Sequence, residues 1–125
     1  MSRPRNIGIG QLMHYRFPLT AIASIGHRLS GFIMVLFIPF VLWVWGLSLH
    51  SPRSFALVQA HFEAPWARLL IWVLLSALLY HMIAGIKHLL MDCGWFETKE
   101  GGKASSLTVM VLAAIGIIGL GVWLW

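Results

Sequence analysis

Two groups of polar side chains interrupt a largely apolar sequence. Ser24, His27, Arg28 and Gly31 are spaced i, i+3, i+4, i+7, and His81, Gly85, His88 and Asp92 are spaced i, i+4, i+7, i+11. At about 3.6 residues per turn, each spacing lays its members along one face of a helix. The chemistry open to them is specific. A neutral imidazole can ligate a metal or bond a carbonyl, a hydroxyl can bond a carbonyl, and a guanidinium can pair bidentately with a carboxylate. A glycine in such a stripe lets a second helix or a flat ring system come close.

The elements that carry these residues follow from composition. Of the 125 residues, 59% are hydrophobic and only 10% charged, with seven tryptophans, which does not fit a soluble domain of this size. The uncharged runs Leu29 to Leu49, Leu69 to Ile86 and Ala104 to Trp125 are each near the roughly 20 residues a membrane-crossing helix needs. The expected fold is therefore all-α, an integral membrane three-helix transmembrane bundle in a single membrane-anchor domain, with helices at about 22–49, 67–91 and 104–125. The first run is too long and unbroken for a cleaved secretory signal and reads as a retained anchor. No long Arg- and Ser-rich presequence precedes it, which fits a bacterial chain or a processed one.

The formal charge of +5 is topology information and not a nucleic-acid surface, because the basic residues sit between the apolar runs. Arg3, Arg5, Arg16, Arg28, Lys87, Lys99 and Lys103 fall on one side and only Arg53 and Arg68 on the other. That excess places the N-terminus and the second connection in the cytoplasm (or matrix) and the C-terminus across the membrane. Trp66 and Trp95 bracket the second helix as interfacial aromatics. The stretch from Ser51 to Pro65 reads as a loop, and the connection through Gly101 and Gly102 as a charged turn. The lone cysteine, Cys93, excludes an internal disulfide and reads as a small buried or interfacial residue.

An ionisable side chain inside a membrane is costly, so the two clusters are the places to look for function. They meet at one depth, at the cytoplasmic ends of the first two spans. His81 lies roughly 9 Å of helix rise inside Lys87, within the hydrocarbon region, while His88 and Asp92 approach the interface. Neutral imidazole is a good iron ligand, and Gly85 one turn away gives a macrocycle room, so a b-type heme is the natural candidate. His88 cannot be the opposite ligand. It lies roughly 10 Å along the same helix and points the same way, so a second axial ligand must come from elsewhere.

The competing readings are plainer. His81 could be a histidine hydrogen-bonded across helices. His88 and Asp92 could be polar caps at a helix end, and Arg28 could snorkel to lipid phosphates. Beside Ser24 and His27, Arg28 could instead pair with a heme propionate while the hydroxyl and imidazole bond a quinone carbonyl. Pro39 reads as a helix kink, and Gly116 with Gly119 as a close helix contact.

Two stretches carry a resemblance: Arg16-Phe17-Pro18 through Ser24-Ile25-Gly26-His27-Arg28-Leu29-Ser30-Gly31, and Tyr80-His81-Met82-Ile83-Ala84-Gly85-Ile86-Lys87-His88-Leu89-Leu90-Met91-Asp92. They resemble the S-x-x-H-R-x-S/T-G and H-x-x-x-G-I/L-R-H-x-x-x-D motifs of the cytochrome b membrane-anchor subunits of succinate dehydrogenase, respiratory complex II, the larger of its two anchor subunits. An Arg3-Pro4 pair adds to the match, which extends over essentially the whole chain. The resemblance implies that His81 is an axial ligand of heme b, with the opposite histidine supplied by a second, smaller anchor subunit. It implies that Ser24 and Arg28 line the ubiquinone pocket, that Arg28 and His27 lie near the heme propionates, and that His88 belongs to the same cofactor-binding set. It also implies a flavoprotein and an iron-sulfur subunit as partners; the expected location, a bacterial inner membrane, rests on the lack of an organelle presequence. Lys87 stands where the family has arginine, keeping the charge and losing the planar fork, and the segment between Arg3-Pro4 and Phe17 is a few residues longer than usual.

The expected function is thus to anchor an oxidoreductase and to help form its ubiquinone-reduction site, with no catalytic residue for succinate oxidation on this chain. There is no Gly-rich dinucleotide fingerprint and no cysteine set for an iron-sulfur cluster. The alternatives are the b-type anchor of a quinol-fumarate reductase, a heme-free structural anchor and a small proton-coupled transporter. The last would want a carboxylate deep in a span, whereas all four, Glu63, Asp92, Glu97 and Glu100, lie in connections or at helix ends.

Overall fold

The computed structural model describes residues 16–125, and Arg3, Pro4 and Arg5 lie outside them. Four helices follow in order: α1 Leu19–His50, α2 Pro52–Phe62, α3 Pro65–Asp92 and α4 Lys99–Leu124. Among the described residues there is no strand. Helices α1, α3 and α4 are long and apolar enough to cross a membrane. At 32, 28 and 26 residues, they exceed the roughly 20 that a span requires, so polar residues at their ends remain helical. Helix α1 runs through Pro39 without a break.

Burial is inverted relative to a soluble protein. Most buried positions hold small side chains, Ala23, Ser30, Ala67, Ala77, Ala84, Ser105, Ser106 and Ala113, while Phe32, Trp43, Leu49 and Val122 are 61%, 62%, 74% and 77% exposed. In lipid the large apolar groups gain nothing by turning inward, and small residues let backbones approach. Helix α3 is central and packs on both α1 and α4. Two cross-helix hydrogen bonds tie the seams: Tyr80 Oη donates to the Ala23 carbonyl at 3.2 Å, and Trp72 Nε1 donates to the Ile117 carbonyl at 3.0 Å. Gly116 does make a close helix contact, against Leu79. Gly119 does not, having no other group within 4 Å of where its Cβ would be.

The stretch read as a loop after Ser51 is instead helix α2. Ser51 and Ser54 form a reciprocal cap, Ser51 Oγ accepting from the Ser54 amide at 3.1 Å and Ser54 Oγ accepting from the Ser51 amide at 3.0 Å. Pro52 then supplies a first helical residue that has no amide hydrogen to satisfy. Ser54, Leu57, Val58, His61 and Phe62, one face of this short helix, close a cavity of about 340 Å³ against α1 and α3. Between α3 and α4 the chain turns at Gly94 and Phe96, both with positive φ (85° and 62°). Thr98 Oγ1 then caps α4 by accepting from the Gly101 amide at 3.0 Å.

Candidate functional site

The site lies where α1 crosses α3, and glycines on both helices set the spacing. A Cβ on Gly26 would stand 2.6 Å from Tyr80 Oη, one on Gly31 3.0 Å from His81 Cε1, and one on Gly85 3.4 Å from His27 Nε2. Each glycine thus admits an aromatic or imidazole ring of the facing helix against the backbone.

Three histidines are brought together. The His27 ring lies 4.1 Å from His81 and 4.9 Å from His88 between centroids, with interplanar angles of 21° and 19°. Because His81 and His88 are two turns apart on α3, they cover opposite faces of the His27 ring. The depth match between the clusters is therefore realised as direct stacking. Ser24 is half-buried and Arg28 exposed on the same helix, and neither hydrogen-bonds to the described histidines. Asp92, the last residue of α3 and one turn past His88, is exposed.

The ring nitrogens are not equivalent. His81 Nδ1 lies 3.1 Å from the His27 carbonyl and 3.2 Å from Ser30 Oγ. His88 Nδ1 donates to the Ala84 carbonyl at 2.7 Å. A carbonyl can only accept, so the hydrogen sits on Nδ1 in both rings, and Nε2 of each keeps its lone pair. His27 Nε2 is sealed in the seam without a partner, whereas Nε2 of His81 has no hydrogen-bond partner among the described residues and is not sealed. The donor a metal would want is thus the open one.

Lys87 was expected near the membrane edge, and it is only 6% exposed, packed into the bundle on the same helix as His81 and His88. Ser30, 5% exposed, and Tyr80 were given no role from the sequence. The signal for both was present, since Ser30 follows His27 by one turn and Tyr80 adjoins His81. Among the described residues no group of three or more His, Cys, Asp or Glu converges as a protein-only metal site. A porphyrin brings its own equatorial donors, so a single open imidazole fits heme while failing as a bare-ion site.

Residues 3–120 match the family model described as succinate dehydrogenase/fumarate reductase transmembrane subunit. The chain is similar to a succinate dehydrogenase cytochrome b556 subunit of Coxiella burnetii, 41% identical over 98% of this chain and 97% of that one. It is also similar to the succinate dehydrogenase cytochrome b556 subunit of Paracoccus denitrificans, 32% identical over 86% of this chain and 85% of that one.

Proposed function

Since the chain belongs to the succinate dehydrogenase/fumarate reductase transmembrane subunit family, as a multi-pass cytochrome b membrane anchor, we propose that it binds heme b through His81 and helps form a ubiquinone-reduction site. The observation that carries this reading is the His81 ring: Nδ1 is held by the His27 carbonyl, which leaves Nε2 as the nitrogen that could hold an iron. When bound, heme b supplies one-electron redox capacity beside the quinone. His81 would be this chain's residue that holds the heme, since His88 sits beyond the His27 ring on the same helix, and the resemblance implies that a second, smaller anchor subunit would supply the other histidine.

The chain's own residues bind, orient and supply charge. Arg28, exposed on α1, offers a fixed cation to a propionate or to negative charge developing on a reduced quinone. Ser24 Oγ, which has no hydrogen-bond partner among the described residues, can donate to a quinone carbonyl. His27 holds the stack, and with Nε2 sealed it can meet an outside group only through Nδ1. His88 extends the same imidazole column toward the interface. The chain acts as one membrane-anchor domain in the bacterial inner membrane with its N-terminus in the cytoplasm, as the basic-residue bias favours. A flavoprotein and an iron-sulfur subunit dock on that side and deliver electrons. Both relatives are named for succinate dehydrogenase, which favours quinone reduction over the fumarate reductase direction.

The test is a reduced-minus-oxidised visible spectrum of the membrane complex purified through this chain, wild type against His81→Ala. A b-type band that is lost or strongly altered in the variant supports the reading; a complex without heme in the wild type leaves only the membrane anchor.

A further inference from the structure

Ser30 is a buried hydroxyl in the α1–α3 seam, and its bonding pattern bears on the nitrogen that would meet iron. Its Oγ donates to the His27 carbonyl at 2.7 Å and lies 3.2 Å from His81 Nδ1, which itself lies 3.1 Å from that carbonyl. The carbonyl only accepts, so Nδ1 must carry hydrogen. The serine has one hydrogen, already directed at the carbonyl, so its lone pair faces Nδ1–H. The Nδ1–H is therefore shared between two acceptors, carbonyl and hydroxyl. In the opposite tautomer the Nδ1 lone pair would face the carbonyl oxygen, and Nε2 would carry a hydrogen and could not ligate.

The ring is also fixed in its plane. The His27 imidazole covers one face at a centroid distance of 4.1 Å, and the Gly31 backbone, where a Cβ would stand 3.0 Å from His81 Cε1, presses the edge beside Nδ1. Ser30 adds the directional contact that stacking and sterics lack. Partners on the non-ligating nitrogen generally set the tautomer, orient the ring and raise the basicity of the ligating nitrogen.

We propose that Ser30 is a positioning residue for His81, a hydroxyl that completes the acceptor pair on Nδ1 and thereby fixes the ring plane and donor strength of Nε2. This rests on His81 being an axial heme ligand. Removing the hydroxyl leaves the carbonyl as sole acceptor, so the imidazole becomes a weaker donor and freer to rotate. A weaker donor stabilises the oxidised iron less.

The experiment uses the intact membrane complex purified through this chain, comparing wild type, Ser30→Ala, Ser30→Thr and His81→Ala. The readouts are the heme midpoint potential from a redox titration and the low-spin signal of the oxidised heme by electron paramagnetic resonance, which reports ring-plane orientation. Ser30→Ala is expected to move the potential upward and to shift or broaden the low-spin signal. Ser30→Thr keeps a hydroxyl that can reach the same helix carbonyl and is expected to return both readouts toward wild type. Should Ser30→Ala fail to assemble, Ser30→Cys, close in size with weaker hydrogen bonding, is read the same way. Wild-type potential and signal in the variant lacking the hydroxyl overturn the proposal, as does a shift that threonine leaves uncorrected, since that marks packing alone. A native heme spectrum in His81→Ala would instead overturn the ligand assignment itself.

Discussion

Gly26→Ala tests the closeness of the α1–α3 crossing. The added Cβ would stand 2.6, 2.8 and 2.9 Å from Oη, Cζ and Cε1 of Tyr80, well inside the roughly 3.5–4.0 Å of favourable carbon contact. The ring is tethered by its 3.2 Å bond to the Ala23 carbonyl, so either the helices separate or the bond breaks. Overpacking costs about 1–3 kcal/mol, and a lost interhelical bond in a membrane about 0.6 kcal/mol. Alanine's better helix propensity returns at most about 1 kcal/mol, for a net destabilisation of about 0.6–2.6 kcal/mol. At Gly119, where nothing lies within 4 Å of the Cβ position, only the propensity gain applies, and alanine should be neutral or stabilising. The assay is the thermal unfolding midpoint of the detergent-solubilised complex, where Gly26→Ala should melt several degrees below wild type and Gly119→Ala at or above it. Repeating Gly26→Ala in a Tyr80→Ala background removes the clashing ring, so its cost there should nearly vanish. An equal cost in both backgrounds would refute the steric reasoning.

Trp72→Phe removes the bond to the Ile117 carbonyl that joins α3 to α4 and should lower the same midpoint by about 0.6 kcal/mol equivalent. It should leave the visible spectrum unchanged, because Trp72 lies about 13 Å of helix rise from His81. Cys93, free and exposed between α3 and α4, reports orientation: a membrane-impermeant maleimide should label it in inside-out vesicles and spare it in right-side-out ones, and the reverse pattern would overturn the cytoplasmic placement of that connection.

The three spans were legible because lipid acts on composition alone. A long uncharged run must be helical to satisfy its backbone in hydrocarbon, whatever it packs against. Helix α2 was not legible in the same way. Its residues are only moderately apolar, and its start depends on the reciprocal Ser51–Ser54 cap, a serine pair in place of the more familiar Ser/Thr-to-Glu/Gln pattern. Gly119 resembled Gly116 in sequence, yet only Gly116 meets a neighbouring helix, since which side of α4 faces α3 is a matter of rotation that spacing between two glycines does not fix.

For the candidate site, helical periodicity put Ser24, His27 and Arg28 on one face and His81 and His88 on another, and the charge at the helix ends put both faces at one depth. Those are properties of a single helix and of the membrane, so the sequence by itself determined them. It could not decide that the His27 ring slides between His81 and His88, that Lys87 is buried, or that Ser30 and a backbone carbonyl share the His81 hydrogen. These follow from how closely two helices approach and how they are rotated about their axes. That geometry is set jointly by Gly26, Gly31 and Gly85 on opposing backbones, and the proton on each imidazole is then assigned by the acceptor that packing brings to it.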